Sequence, residues 1–268
     1  MQKSLAKRVL PAAIVMIQVR TPADYIAAAQ KAADEGADAL GAQLERIPRE
    51  LRTDKALREM FACTDLPVYA TDYAGDCNAG VSDDALAEDL LRALDAGATL
   101  IDVPGDMFHT EKYQLTADAA AVDKQMRLIG RIRERGGETL MSSHIFEFRA
   151  CDDMLAVARE QARRGADVLK FVTASNSAAE LADNLKTTVY LRASLDRPFV
   201  FLSCGAFCRP HRLLGPYFGA GYWLCAAQHG ALDTPEQPLL SELAAFRAAY
   251  PACGSDTAGT GKEGTTPL

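Results

Sequence analysis

Lys170 stands in the middle of the apolar run ADVLKFV, residues 166–172. A lysine is rarely buried without a chemical or electrostatic reason. Taken out of water, an ammonium releases its proton more readily, and the free amine is a nucleophile that forms an imine with a ketone. The plainer use of such a lysine is to reach outward along its stem or to pair with an acid at a strand end. The stretch alone leaves both uses open. A second apolar run, ETLMSSH, ends at His144, and 26 residues, one strand–helix unit, separate that histidine from Lys170. A histidine alone is usually a capping or core residue. Beside an imine lysine it has a chemical role: the iminium draws electrons from the neighbouring C–H bond, and an imidazole can take that proton and later give one to a departing hydroxyl.

Such a pairing needs adjacent parallel strands. Candidate strands are residues 12–19, 37–44, 67–72, 98–103, 138–144, 166–172, 198–204 and 221–227, with helical patterns between them. DEGADAL, DAGATLI and RRGADVL repeat one phrase, a glycine just past a helix and a strand just after it, which fits a left-handed C-terminal cap. Eight strands alternating with helices in about 250 residues predict an α/β fold, a single-domain (β/α)8 TIM barrel over residues 1–251. An open doubly wound sheet is the alternative, but no GxGxxG follows the first strand. The Gly/Ser/Thr-rich segment 252–268 reads as a flexible tail. In a barrel the C-terminal strand ends form the active face. Those positions hold Gln43 and Glu45, then Thr71, Asp72, Tyr73 and Asp76, then Asp102, His144, Lys170 and Ser203–Gly205, with Arg209, His211 and Arg212 in the following loop.

Composition narrows the function. The 268 residues are 49% apolar and 24% charged, with a net charge of −7. An acidic chain without a basic block is a poor match for nucleic acid or an anionic membrane. No apolar run approaches the ~20 residues of a membrane helix. The basic-then-apolar start, MQKSLAKRVLPAAIVMIQVR, runs into Gln18 and Arg20 without a small-residue cleavage site, so a first strand is expected there rather than an export signal. Seven cysteines without a CxxC pair argue against a zinc site or a disulfide framework and point to reduced, cytoplasmic thiols.

MSSHIF resembles the MSxHxF stretch of the type I 3-dehydroquinate dehydratases, and GADVLKFV resembles their Schiff-base lysine strand. FLSCGAFCRPHRLLGPYFGAGYWLCAA and TPEQP resemble their penultimate region and late substrate loop, and the likeness extends over most of residues 12–250. The resemblance implies a (β/α)8 barrel lyase of the shikimate route to aromatic amino acids that removes water from a cyclic or carboxylated ketone. It implies Lys170 as imine lysine, His144 as acid/base, Arg212 as carboxylate ligand and Gln237 as a loop contact. No cofactor or metal is implied, and the partners are a small keto acid and, as in many barrels, a second copy in a homodimer. The substrate cage departs from the family pattern. Gly41 and Gln43 stand where the family has Glu-x-Arg, Tyr73 where it has an arginine, and Ile145 where an aspartate follows the histidine. Gln43, Asp72 and Tyr73 are therefore the expected replacement contacts. A class I aldolase using the same lysine and a non-catalytic metabolite-binding paralogue are the competing readings.

Overall fold

Each of the eight apolar runs forms a strand: Ala12–Ile17 (β1), Ala39–Gln43 (β2), Val68–Thr71 (β3), Leu100–Pro104 (β4), Glu138–His144 (β5), Val168–Ala174 (β6), Phe199–Cys204 (β7) and Tyr222–Cys225 (β8). The computed structural model describes residues 3–251, so the expected tail from residue 252 onward lies outside the described residues. The strands pair in parallel in the order β7-β6-β5-β4-β3-β2-β1-β8. The ring nearly closes where β8 meets β7, with the Gly221 N–H donating to the Phe199 carbonyl at 2.7 Å. The result is a single-domain (β/α)8 barrel.

The helices between the strands are Pro22–Asp34 (α1), Asp54–Ala62 (α2), Asp83–Asp95 (α3), Ala119–Glu134 (α4), Cys151–Arg163 (α5), Ala178–Ser194 (α6), Cys208–Leu214 (α7) and Leu240–Ala249 (α8). Side chains of Thr21, Thr53, Ser82, Asp118 and Ser177 cap five of their N-termini, each worth about 1 kcal/mol. The repeated glycine phrase does what its spacing predicts. Gly36, Gly97 and Gly165 have φ of 88°, 116° and 102°, and the next residue's N–H returns to a carbonyl of the last helical turn, as from Ala37 to Ala32 at 3.0 Å. One helix corrects the sequence reading: α7 occupies the segment read as the loop carrying Arg209, His211 and Arg212. Gly205 and Pro210 signal a turn there, but Pro210 falls in the first turn of α7, where its missing N–H costs no hydrogen bond. Among the described residues no helix is long and apolar enough to cross a membrane.

Strand parity decides what enters the barrel. On β6, Leu169 and Phe171 pack outward among the helices, while Val168 and Val172 join an inner cluster with Leu100, Leu140, Val200 and Tyr222. Lys170 shares the inward parity and stands in register with Ser142 on β5. The apolar floor, at about 1.5–3 kcal/mol per fully buried side chain, supports a polar layer above it.

One buried arginine fixes the β4–α4 loop. Arg164, 3% exposed, donates to the carbonyls of Gly105 (2.9 Å) and Thr116 (2.6 Å), to Gln125 Oε1 (2.8 Å) and to Glu160 (2.8 Å). Arg164→Met keeps the stem but strands these buried acceptors. It is expected to lower the unfolding free energy by ~3 kcal/mol, measured by urea titration, and to speed amide exchange over residues 105–118. Unchanged exchange would show that the loop is held by other contacts.

Candidate active site

The polar layer is built around Asp102 of β4. Its Oδ1 accepts from Ser142 Oγ at 2.6 Å. Its Oδ2 accepts from the phenols of Tyr69 and Tyr73 and lies 3.3 Å from Lys170 Nζ. Lys170 Nζ also donates to Tyr69 Oη at 3.0 Å and to Tyr73 Oη at 2.8 Å. Lys170 and Asp102 are 4% and 1% exposed. Neither could be buried alone; together, with two phenols and a serine, every lobe of charge is bonded. Burial first, then the Asp102 carboxylate, push both phenols well above the ordinary tyrosine range, so both keep their protons. Lys170 pairs with an acid and also lines a cavity, so both uses left open by its sequence stay open.

His144 ends β5 beside this cluster, its ring edge-on to Tyr73 at 5.5 Å. Gln114, in the loop that Arg164 secures, accepts with one atom, Oε1, from the His144 backbone N–H (3.0 Å) and approaches Nδ1 at 2.7 Å. An oxygen that accepts from a backbone N–H is an acceptor for Nδ1 as well, so Nδ1 carries the proton and Nε2 keeps a free lone pair. Burial, then the charge of Lys170, bring the imidazole pKa down to about 3. His144 is therefore a neutral base at ordinary pH.

A cavity of about 300 Å³ opens above the lysine and brings together Lys170, His144, Arg212, Gln43, Tyr73 and Gln237. Arg212 comes from α7, where its Nε donates to the Ser203 carbonyl at 2.7 Å. Burial depresses its guanidinium, and a bound carboxylate would relieve that cost. Gln43 is steadied by Glu45, whose Oε1 accepts from its amide at 3.0 Å; burial lifts the Glu45 carboxyl to about 7. Asp72 is placed elsewhere. It sits in a buried ion pair with Arg52 (2.7 Å) and accepts from Asn78 (2.6 Å), and it lines a neighbouring cavity of about 390 Å³ on the other side of Tyr73 and His144. Asp76 pairs with Arg20 and Arg46. Of the residues on α7, His211 is a core residue, bonded to Ser203 Oγ at 2.7 Å and Thr188 Oγ1 at 3.1 Å, and Arg209 pairs with Glu242. The sequence reading missed Tyr69 and Gln114. Tyr69 lies in a strand that is apolar on both faces, and nothing local marks Gln114.

A family model described as type I 3-dehydroquinase matches residues 13–250. The chain belongs to the type I 3-dehydroquinase family. No curated protein sequence matches it. Among solved structures it is similar to a type I 3-dehydroquinate dehydratase from Clostridium difficile with covalently modified comenic acid, at TM-score 0.77 and 18% identity, covering 93% of this chain and 98% of that one. It is likewise similar to 3-dehydroquinate dehydratases from Geobacillus kaustophilus (TM-score 0.74, 16% identity, 92% and 94% covered) and Aquifex aeolicus VF5 (TM-score 0.67, 18% identity, 90% and 100% covered). A Cβ on Gly41 would lie 2.3 Å from Met16 Sδ, so the thioether fills the space that a side chain at position 41 would take.

The tautomer and pKa of His144 are directly measurable. In ¹⁵N NMR the ring is expected to remain the neutral Nδ1–H form from pH 8 to pH 5. Because the folded pKa is depressed from 6.5 to about 3, the unfolded chain binds this proton first. The stabilisation is complete above about 6.5 and is lost as pH falls toward 3. A midpoint near 6.5 in the folded protein would contradict the assignment.

Proposed function

We propose that this chain is a Schiff-base lyase that eliminates water from a carboxylated ketone. The observation that carries the reading is the convergence of Lys170, His144 and Arg212 on one cavity. Arg212 holds the carboxylate through its planar fork, with Gln43 and Gln237 as further polar contacts. Lys170 Nζ adds to the ketone carbon and water leaves, giving an iminium. The iminium accepts the electron pair of the adjacent C–H bond as His144 Nε2 takes the proton, leaving an enamine. The enamine then expels the β-hydroxyl, which departs as water with the proton returned by His144, and hydrolysis of the iminium frees the product and the lysine. The low His144 pKa makes its imidazolium a strong proton donor for the leaving hydroxyl. A carboxylate bound at Arg212 offsets one of the positive fields that hold that pKa down, so substrate binding itself strengthens the base.

The substrate is a carboxylated ketone less polar near β2 than 3-dehydroquinate. Met16 occupies the space beside Gly41, and Tyr73, a neutral phenol, offers a substrate hydroxyl no positive charge. Two or three lost hydrogen bonds are worth ~10²–10⁴ in kcat/KM. Retention of both His144 and Arg212 supports dehydration over aldol cleavage. The setting is the family's, a small-molecule biosynthetic step in the cytoplasm.

The test is borohydride reduction with a panel of keto acids, read by intact mass and peptide mapping. A stable adduct on Lys170 is expected, together with a kcat/KM for 3-dehydroquinate below ~10⁴ M⁻¹s⁻¹ by enone absorbance. Label on another lysine would remove the mechanism. Turnover of 3-dehydroquinate at or above that value would remove the altered specificity. Arg212→Lys is expected to weaken acidic ligands while sparing neutral analogues; equal loss of both would make Arg212 structural.

A further inference from the structure

Imine formation is itself a proton-transfer problem. Converting R–NH₃⁺ and a ketone into R–NH⁺=C and water removes two protons from nitrogen and delivers two to the ketone oxygen, which leaves as water. Charge is conserved, so the protons need only be carried across. Three groups touch Lys170 Nζ: Tyr69 Oη, Tyr73 Oη and Asp102 Oδ2. Tyr69 is fully buried and does not line the cavity. Asp102 is sealed beneath the two phenols. Tyr73 alone among them both contacts Nζ, at 2.8 Å, and lines the cavity where the ketone oxygen must sit.

We infer that Tyr73, backed by Asp102, is the catalytic residue that carries protons between Lys170 and the substrate oxygen as the imine forms and hydrolyses. This rests on Lys170 being the imine lysine and divides the labour at the site. As the Nζ–C bond forms, the first Nζ proton passes by way of Asp102 Oδ2 and the Tyr73 phenol to the ketone oxygen, giving a carbinolamine with two hydrogens on Nζ. As that carbinolamine collapses, the phenolic O–H gives its proton to the departing hydroxyl, the C–O bond breaks, the C=N bond forms, and the phenolate takes one of the two Nζ protons, leaving R–NH⁺=C and water. Asp102 Oδ2, bonded to both groups, holds them in line. His144, whose Nδ1 is committed to Gln114, is left for the carbon acid and the β-hydroxyl. Burial and Asp102 keep the Tyr73 phenol protonated, so its proton is in place before the ketone arrives.

The test uses Tyr73→Phe, which removes one oxygen, and Tyr69→Phe, which removes the other phenol from the same lysine and carboxylate. Circular dichroism and melting establish folding. Levulinate and 3-dehydroquinate serve as probes, and the one that labels the parent protein faster is used. Imine formation is followed by timed borohydride quench and intact mass. Deuterium uptake at the carbon next to the imine, per imine formed, reports the His144 step. Tyr73→Phe is expected to slow imine formation by ~10²-fold or more with uptake per imine unchanged, and Tyr69→Phe to form imine at least tenfold faster than Tyr73→Phe. Imine formation at the parent rate in Tyr73→Phe, or equal losses in the two variants, would overturn the role and leave both tyrosines as positioning residues. If the parent protein itself gave no adduct with either probe, the imine reading would fail and this role with it, a result distinct from failure of the variant alone.

Discussion

A lysine and an aspartate inside a barrel are tolerable only as a pair. Lys170 and Asp102 stand 3.3 Å apart on strands separated by β5, in a layer where an isolated charge would cost several kcal/mol. Two phenols and a serine complete their hydrogen bonds. Such a pair is weak evidence for stability, since apolar residues of the same volume would serve as well. Its presence is better explained by what it leaves facing the cavity: a nitrogen nucleophile held by groups that can exchange protons with it.

The rest of the barrel serves that layer. Parallel pairing sets Ser142 beside Lys170, Asp102, in register with Leu140 two residues before Ser142, reaches both side chains, and apolar side chains beneath close the floor. His144 lies one inward position further along β5 than Ser142, which sets it above the lysine. Its orientation comes from outside the strand, through the chain of contacts from Arg164 to the β4–α4 loop and from Gln114 to the imidazole. Arg212 enters the cavity from the opposite side, by way of α7. Lys170 and His144 thus sit on strands, where position is fixed best, and Gln114, which orients His144, sits on a loop pinned by buried polar contacts.

Much of this was legible in the sequence. Eight apolar runs, three glycine caps and the 26-residue spacing of His144 and Lys170 carried the barrel and its two central residues. The resemblance pointed to Arg212 and Gln237, which line the cavity. What escaped was long-range. Barrel strands are apolar on both faces, so alternation does not show which residues point inward; Tyr69 reads as core until Lys170 is seen beside it. Gln114 acts across 30 residues on His144, with no local pattern to mark it. Asp72 lines the cavity next to the one that holds Lys170, and its partner Arg52, 20 residues away, has no local mark in the sequence. In each case the deciding partner lies far along the chain.

The central claim is that a keto acid is bound covalently to Lys170 with its carboxylate on Arg212. A crystal structure of the protein reduced with borohydride in the presence of a keto acid that labels it tests both halves at once. Continuous density from Nζ to the former carbonyl carbon, the carboxylate within hydrogen-bond distance of the Arg212 guanidinium, and His144 Nε2 facing the adjacent carbon are expected. An adduct on another lysine, or one on Lys170 with its carboxylate turned away from Arg212 and the adjacent carbon out of reach of His144, would contradict it.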